Sequence, residues 1–201
     1  MFENTRQPDW DWWETLWPEP KAVLRRVGID AGQSVADVGS GNGYFTLPLS
    51  EVVGDEPVYA VDIDDALLDE LSTRADDRDC ANVRCLHGDA RNLPDVLPEP
   101  VDVVLVANTF HGVERQAEFA RLARESLRPG GRFVVVNWHD LPRAETTVDG
   151  EPRGPPEDLR MSVAETREVF SAAFDDRETV DLPPYHYAVV GRNESTGDLS
   201  A

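Results

Sequence analysis

The stretch Asp37-Val38-Gly39-Ser40-Gly41-Asn42-Gly43 constrains the fold of this chain more than any other. It follows a short apolar run, Ser34–Val38, and precedes a helix-forming stretch from Tyr44 to Val53. Glycines at alternate positions let the backbone turn sharply, and let another molecule approach closer than a Cβ would permit. The N–H groups that open the following helix favour a negative group such as a carboxylate or phosphate. A strand–turn–helix unit of this kind belongs to a sheet whose strands run parallel with helices against its faces.

The chain continues that alternation. Val58–Asp62 is expected as the second strand, Asp65–Arg74 as a helix with acids near its start, and Val83–Leu86 as a short third strand. Val101–Val106 is the most apolar strand, as one buried on both faces should be. Glu114–Leu127 places Phe119, Leu122, Ala123 and Leu127 on one helical stripe. Pro129-Gly130-Gly131 is expected to stop that helix and turn the chain into a fifth strand, Arg132–Asn137. After a helix at Val163–Phe174, the strands Glu178–Leu182 and Tyr185–Gly191 are separated only by Pro183-Pro184. With no helix between them they must pair antiparallel. The expected fold class is therefore α/β: a Rossmann-like, doubly wound sheet of seven strands, helices on both faces, ending in an antiparallel hairpin.

Within 201 residues one well-buried domain is expected, over residues 31–192, with two flanking segments. In residues 1–30, Trp10, Trp13 and Trp17 fall on one helical face, and a second helix, Pro20–Val27, stops at Gly28. This segment either docks on the domain or covers its pocket as a lid. Residues 193–201 form a polar tail with nothing to bury and are expected to be mobile. Asp140–Arg160 carries four prolines and little periodicity, which marks a functional or disordered loop.

Charge narrows the partners. The net charge is −20, and Lys21 is the only lysine. Such a surface repels nucleic acid and anionic membranes, so neither is an expected partner. The longest apolar run, Val101–Ala107, is strand-sized, and the start of the chain lacks the basic-then-apolar pattern of a secretory peptide, so the expected location is cytoplasmic. Self-repulsion on this scale is relieved when the Debye length falls to about 3 Å, near molar salt. The acidic, lysine-poor composition resembles that of proteins from halophiles. Cys80 and Cys85 cannot supply a zinc site and are expected to be free thiols; no metal is expected.

Asp62 closes the second strand, 23 residues after Gly39. A carboxylate there can accept from both hydroxyls of a ribose, which suits NAD and S-adenosylmethionine (SAM) alike. The glycines, however, run G-x-G-x-G, whereas the dinucleotide fingerprint runs G-x-G-x-x-G. Asp37 would also repel a pyrophosphate while suiting an ammonium. Both features favour SAM.

Val35 to Gly43 resembles the first motif of class I SAM-dependent methyltransferases. Val61-Asp62 resembles their second motif and Gly88-Asp89-Ala90 their third, where the acid meets the adenine amino group. Asp102-Val103-Val104 leading to Ala107-Asn108 resembles the fourth, and Leu127-Arg128-Pro129-Gly130-Gly131 the turn before the fifth strand. The resemblance, of the small-molecule, type 11 kind, covers Ser34 to Asn137 and implies a seven-stranded sheet with a terminal hairpin. It implies a cofactor site at Asp37, Gly39, Ser40, Gly41, Gly43, Asp62, Ile63, Asp89, Ala90 and Asn108. A looser similarity reaches the ubiquinone/menaquinone biosynthesis methyltransferases. The Asn-Pro-Pro-Tyr signature of adenine and glutamine methylation is absent, with Asn108-Thr109-Phe110-His111 in its place.

The expected reaction is methyl transfer from SAM to a small-molecule acceptor, with His111, just beyond the fourth strand, as the candidate catalytic base. His87 is expected to be structural, while His139 and His186 have no assigned role. Arg160 is either a solvated arginine ahead of a helix capped by Ser162 or a cation facing the site. A SAM-binding module without catalysis and a nicotinamide-dependent oxidoreductase are the alternatives, and a homodimer is left open.

Overall fold

The computed structural model describes residues 10–194. The N-terminal segment supplies α1 (Trp10–Leu16) and α2 (Pro20–Arg26), and the domain then alternates. It runs β1 (Val35–Val38), α3 (Thr46–Val53), β2 (Val58–Asp62), α4 (Asp65–Asp77), β3 (Val83–His87), α5 (Leu93–Val96) and β4 (Val101–Ala107). There follow α6 (Gln116–Glu125), β5 (Leu127–Trp138), a two-strand ribbon of β6 (Thr147–Val148) and β7 (Glu151–Pro152), α7 (Val163–Ser171), β8 (Arg177–Leu182) and β9 (His186–Arg192).

Seven strands form one sheet in the order β3-β2-β1-β4-β5-β9-β8. The first five are mutually parallel, and β9 pairs antiparallel with both β5 and β8. The α/β class, the doubly wound sheet and the closing hairpin are as expected. Side chains alternate across the sheet. Ala36, Val104, Phe133 and Val135 pack with Phe119, Phe170 and Phe174 on one face, while Val35, Leu105, Val134 and Val136 pack with Trp13, Trp17, Leu24, Phe45 and Leu49 on the other. Because β2 and β3 lie to one side of β1 while β4 and β5 lie to the other, the chain reverses its winding between β1 and β4. A crevice opens at such a reversal, beyond the carboxyl ends of the strands.

One expectation fails. Pro129-Gly130-Gly131 does not turn the chain into β5; it lies inside the strand, which starts at Leu127 opposite Val101. The helix stops earlier, at Glu125, and the pairing register with β4 shifts between Val101 and Val103. Pro129 has no N–H to donate, which suits the break in the ladder at this point. Asn193 supplies bonds instead: its backbone accepts from Gly130 N at 2.6 Å and donates to Gly131 O at 2.8 Å, and its amide donates to Leu127 O and Arg128 O at 3.2 Å. A Cβ on Gly131 would stand 2.9 Å from one carbonyl oxygen and 3.0 Å from another, so only glycine passes. Asn193, assigned to the tail, is thus tied to the sheet; residues 195–201 lie outside the described residues, as do residues 1–9 of the N-terminal segment.

The proline-rich loop is ordered around Arg160, a further correction. The side chain is buried rather than solvated, and its guanidinium is used inside the loop. It donates to Leu141 O at 2.8 Å, Thr146 Oγ1 at 3.0 Å, Arg153 O at 3.1 Å and Pro155 O at 3.2 Å. Cys80 and Cys85 are free thiols. Among the described residues no helix is long and apolar enough to cross a membrane.

Candidate cofactor site

The parallel register brings Gly39, Asp62, Asp89 and Asn108 to one edge of the sheet, each just beyond or at the end of its strand. The glycine loop is pinned to β2, with Gly39 N and Ser40 N donating to Val61 O at 2.8 and 3.2 Å. Gly39 has φ +74° and a Cβ there would stand 2.8 Å from Thr109 Oγ1, so the loop passes directly under the start of the β4–α6 connection. Gly43 has φ +95°, and a Cβ would run into the Leu71 side chain. These two positions require glycine for both conformation and space.

Asp62 is held from two sides: Oδ2 accepts from Gly41 N at 2.8 Å and Oδ1 from Asp64 N at 3.0 Å. Each carboxylate oxygen keeps further acceptor capacity. Asp37, one strand inward, is buried and accepts from Thr46 Oγ1 at 2.6 Å. Burial pushes its carboxyl up to about 6, opposed by the Thr46 bond and reinforced by the charge of Asp62. Asp89 caps a 3-10 turn, Ala90–Asn92, and is gripped by the Arg91 guanidinium, which holds its carboxyl below the usual range. Ala90, the first residue of that turn, is buried.

Two neighbours are less satisfied. Asn108 adopts φ +60°, and neither atom of its buried side-chain amide has a hydrogen-bond partner among the described residues. The hydroxyl of Ser40 is in the same state. Buried polar groups are nearly always partnered, and one left alone costs about 1–3 kcal/mol. The two residues follow β4 and β1, the strands that flank the winding reversal. Beside Asp62, Ile63 is 54% exposed, the one large hydrophobic side chain standing exposed among the described residues.

His111 sits half-buried on a 3-10 turn, Phe110–Gly112, anchored by the fully buried Phe110. Burial lowers its pKa, so the imidazole is neutral at pH 7 and able to take a proton. His87 is exposed, with Nε2 3.1 Å from Ile63 O. His139 stands at the end of β5 with Nε2 3.4 Å from Asp181.

The tryptophan stripe packs against the end of the glycine loop and the residues that follow it. Trp10 Nε1 donates to Asn42 Oδ1 at 2.7 Å, and the Arg74 guanidinium lies 4.4 Å over the Trp10 ring. Trp13 stacks on Tyr44, whose hydroxyl donates to Trp13 O at 3.0 Å and Trp17 O at 2.9 Å. The segment therefore docks on the domain and touches the glycine loop at once. Sequence reasoning missed Thr46, Thr109, Asn42 and Tyr44. A threonine in the first turn of the helix after Asp37 was the available signal for Thr46; Thr109 reaches Gly39 only through the β1–β4 pairing.

A glycine turn, a buried acid on the first strand and acids after the next two, on a seven-stranded sheet closed by an antiparallel hairpin, define the class I methyltransferase fold. Residues 35–131 match the family described as a methyltransferase domain. A ubiquinone/menaquinone biosynthesis C-methyltransferase of Azotobacter vinelandii is 35% identical over 126 residues, 61% of this chain and 48% of that protein. A tRNA (guanine(6)-N2)-methyltransferase of Thermus thermophilus is 33% identical over 126 residues, 58% of this chain and 37% of that protein. The chain spans about half or less of the length of these curated relatives. A SAM-dependent methyltransferase from Aquifex aeolicus has the same fold, with a TM-score of 0.78 over 92% of this chain and 94% of that one, at 23% identity. Residues 35–131 are thus similar to a methyltransferase domain, and the chain shares the fold of a SAM-dependent methyltransferase.

Proposed function

We propose that the protein transfers the methyl group of SAM to a small-molecule acceptor. The observation that carries this reading is the pair of buried, unpartnered polar groups, Ser40 Oγ and the Asn108 amide, flanking the glycine turn beside Asp37. Such groups are retained where a ligand completes them. In this reading Asp37 holds the ammonium of the methionine moiety, and Gly39, Gly41 and Gly43 leave room for it. Ser40 and Asn108 complete its polar contacts. Asp62, already oriented by Gly41 and Asp64, accepts from the ribose hydroxyls. Ile63 covers a face of the adenine, which explains an exposed isoleucine at that position. Asp89 and Ala90 meet the adenine edge.

When bound, SAM supplies an electrophilic methyl on a sulfonium with a good leaving group. The chain's own work is then to hold the acceptor in line and exclude water. Neutral His111 takes a proton from the acceptor where one must leave. Residues 10–30 serve as docking segment and lid. The net charge of −20 supports a small acceptor over an RNA, despite the tRNA-modifying relative, and supports function in concentrated salt, as in a halophile's cytoplasm.

Asp62→Ala tests the cofactor part: it removes two charge-assisted hydrogen bonds and should weaken SAM by roughly 2–4 kcal/mol in calorimetry. Unchanged affinity would remove Asp62 from the site. Methyl-labelled SAM incubated with fractionated metabolites tests turnover. If no S-adenosylhomocysteine forms with any fraction, the protein is a binding module.

A further inference from the structure

The end of β5 and the start of β9 carry a polar group that the cofactor site does not use. His186 is fully buried, paired across the sheet with Trp138. Its ring is wedged between two indoles, with centroids 4.3 Å from Trp17 and 4.1 Å from Trp138. Phe45 lies 5.3 Å from Trp17, and Tyr185 stacks on Trp138 at 6.1 Å. Within this aromatic cage, both nitrogens of His186 and Nε1 of Trp17 are buried without hydrogen-bond partners among the described residues. A phenylalanine at position 186 would fill the same space without leaving two polar atoms unmatched.

The position of the cage relates it to the methyl-transfer edge. Asp37, Leu105, Val134 and Val190 form one row across the sheet on one face. Trp138 and His186 lie on that same face, four residues further along β5 and β9 toward the edge. Ala107 pairs with Val136 and Asn108 N donates to Val136 O, so Trp138 stands one residue past the strand level of Asn108. The backbone of His186 is two strand spacings from the end of β4, roughly 10 Å. One or two fused rings span that gap.

We propose that Trp17 and His186 form the far end of the acceptor site, gripping the hydroxyl of a flat, uncharged aromatic acceptor whose near end faces the methyl donor. This rests on the methyltransferase reading above. The cage supplies ring faces for stacking, the indole N–H donates to the hydroxyl oxygen, and one imidazole nitrogen accepts its proton. Burial, with the Arg160 guanidinium nearby, keeps His186 neutral, so it positions a neutral hydroxyl and does not stabilise a charged acceptor. Entry requires the Trp17 corner between α1 and α2 to lift.

The test compares 2-naphthol with 2-methylnaphthalene, nearly equal in shape, by calorimetry on the full chain saturated with S-adenosylhomocysteine. The wild type should bind 2-naphthol about tenfold more tightly, the value of a hydrogen bond made in an apolar site. His186→Phe and Trp17→Phe should each reduce that ratio while leaving S-adenosylhomocysteine affinity unchanged, and His186→Gln should restore part of it. A wild-type ratio near one, or a ratio retained in both variants, overturns the subsite; it is then a packed aromatic cluster satisfied by water. Should His186→Phe fail to fold, the ratio in Trp17→Phe decides. Wild-type protein that does not bind S-adenosylhomocysteine overturns the cofactor reading itself, and the subsite with it.

Discussion

Replacing Asp37 by asparagine should move stability and cofactor affinity in opposite directions. The carboxyl is buried, and its pKa rises from 3.8 to about 6, mainly through burial. Over that interval the native protein binds more protons at this group than the unfolded chain does. The group's stabilising contribution is therefore fully present below pH 4 and is lost as pH rises through 6. A difference of about two pKa units corresponds to roughly 3 kcal/mol. Asparagine keeps a partner for the Thr46 hydroxyl and never ionises. At pH 7 the ligand-free variant should be more stable than wild type by about 1–3 kcal/mol, the lower value allowing for a weaker neutral bond to Thr46. In a domain of this size that raises Tm by several degrees. The gain should vanish at pH 4. SAM affinity should instead fall about tenfold to a hundredfold, because a charge-assisted bond to the ammonium becomes a neutral one. Thermal unfolding of both proteins from pH 4 to 8 at constant salt isolates Asp37, since the other acids are common to both. A variant less stable at pH 7, or a stability difference independent of pH, would refute the buried-charge argument; undiminished SAM binding would refute the ammonium contact.

Screening of the −20 charge should raise Tm substantially between dilute buffer and molar KCl, and a flat or falling Tm would count against adaptation to salt. His111→Ala should lower turnover about a hundredfold with SAM affinity nearly intact if the imidazole is the base; a change confined to the acceptor's KM would make it a wall of the pocket. Arg160→Met leaves the carbonyls of Leu141, Arg153 and Pro155 and the Thr146 hydroxyl without their donor. It should cost about 2–4 kcal/mol and expose the 140–160 loop to proteolysis, whereas unaltered cleavage would show that the loop holds itself together.

The central strands were readable from the chain alone because a strand buried on both faces is written as a continuous apolar run, as in Val101–Ala107. The hairpin was readable because nothing lies between Leu182 and His186 that could carry the chain back across the sheet. The placement of Asp37, the glycines and Asp62 at one edge of the sheet was readable as well, since it depends on distance from a strand end, a local quantity. The start of β5 was not. Pro129-Gly130-Gly131 reads as a stop until Asn193, from the far end of the chain, supplies the bonds that the proline cannot. The same limit hid the state of several side chains. The Thr109 packing on Gly39, the unpartnered amide of Asn108 and the burial of His186 between Trp17 and Trp138 join residues distant in sequence. Propensity and periodicity act over a few residues, and so they determine which elements form. Which polar groups lose water, and whether a partner awaits them, is decided only when the sheet brings its strand ends together.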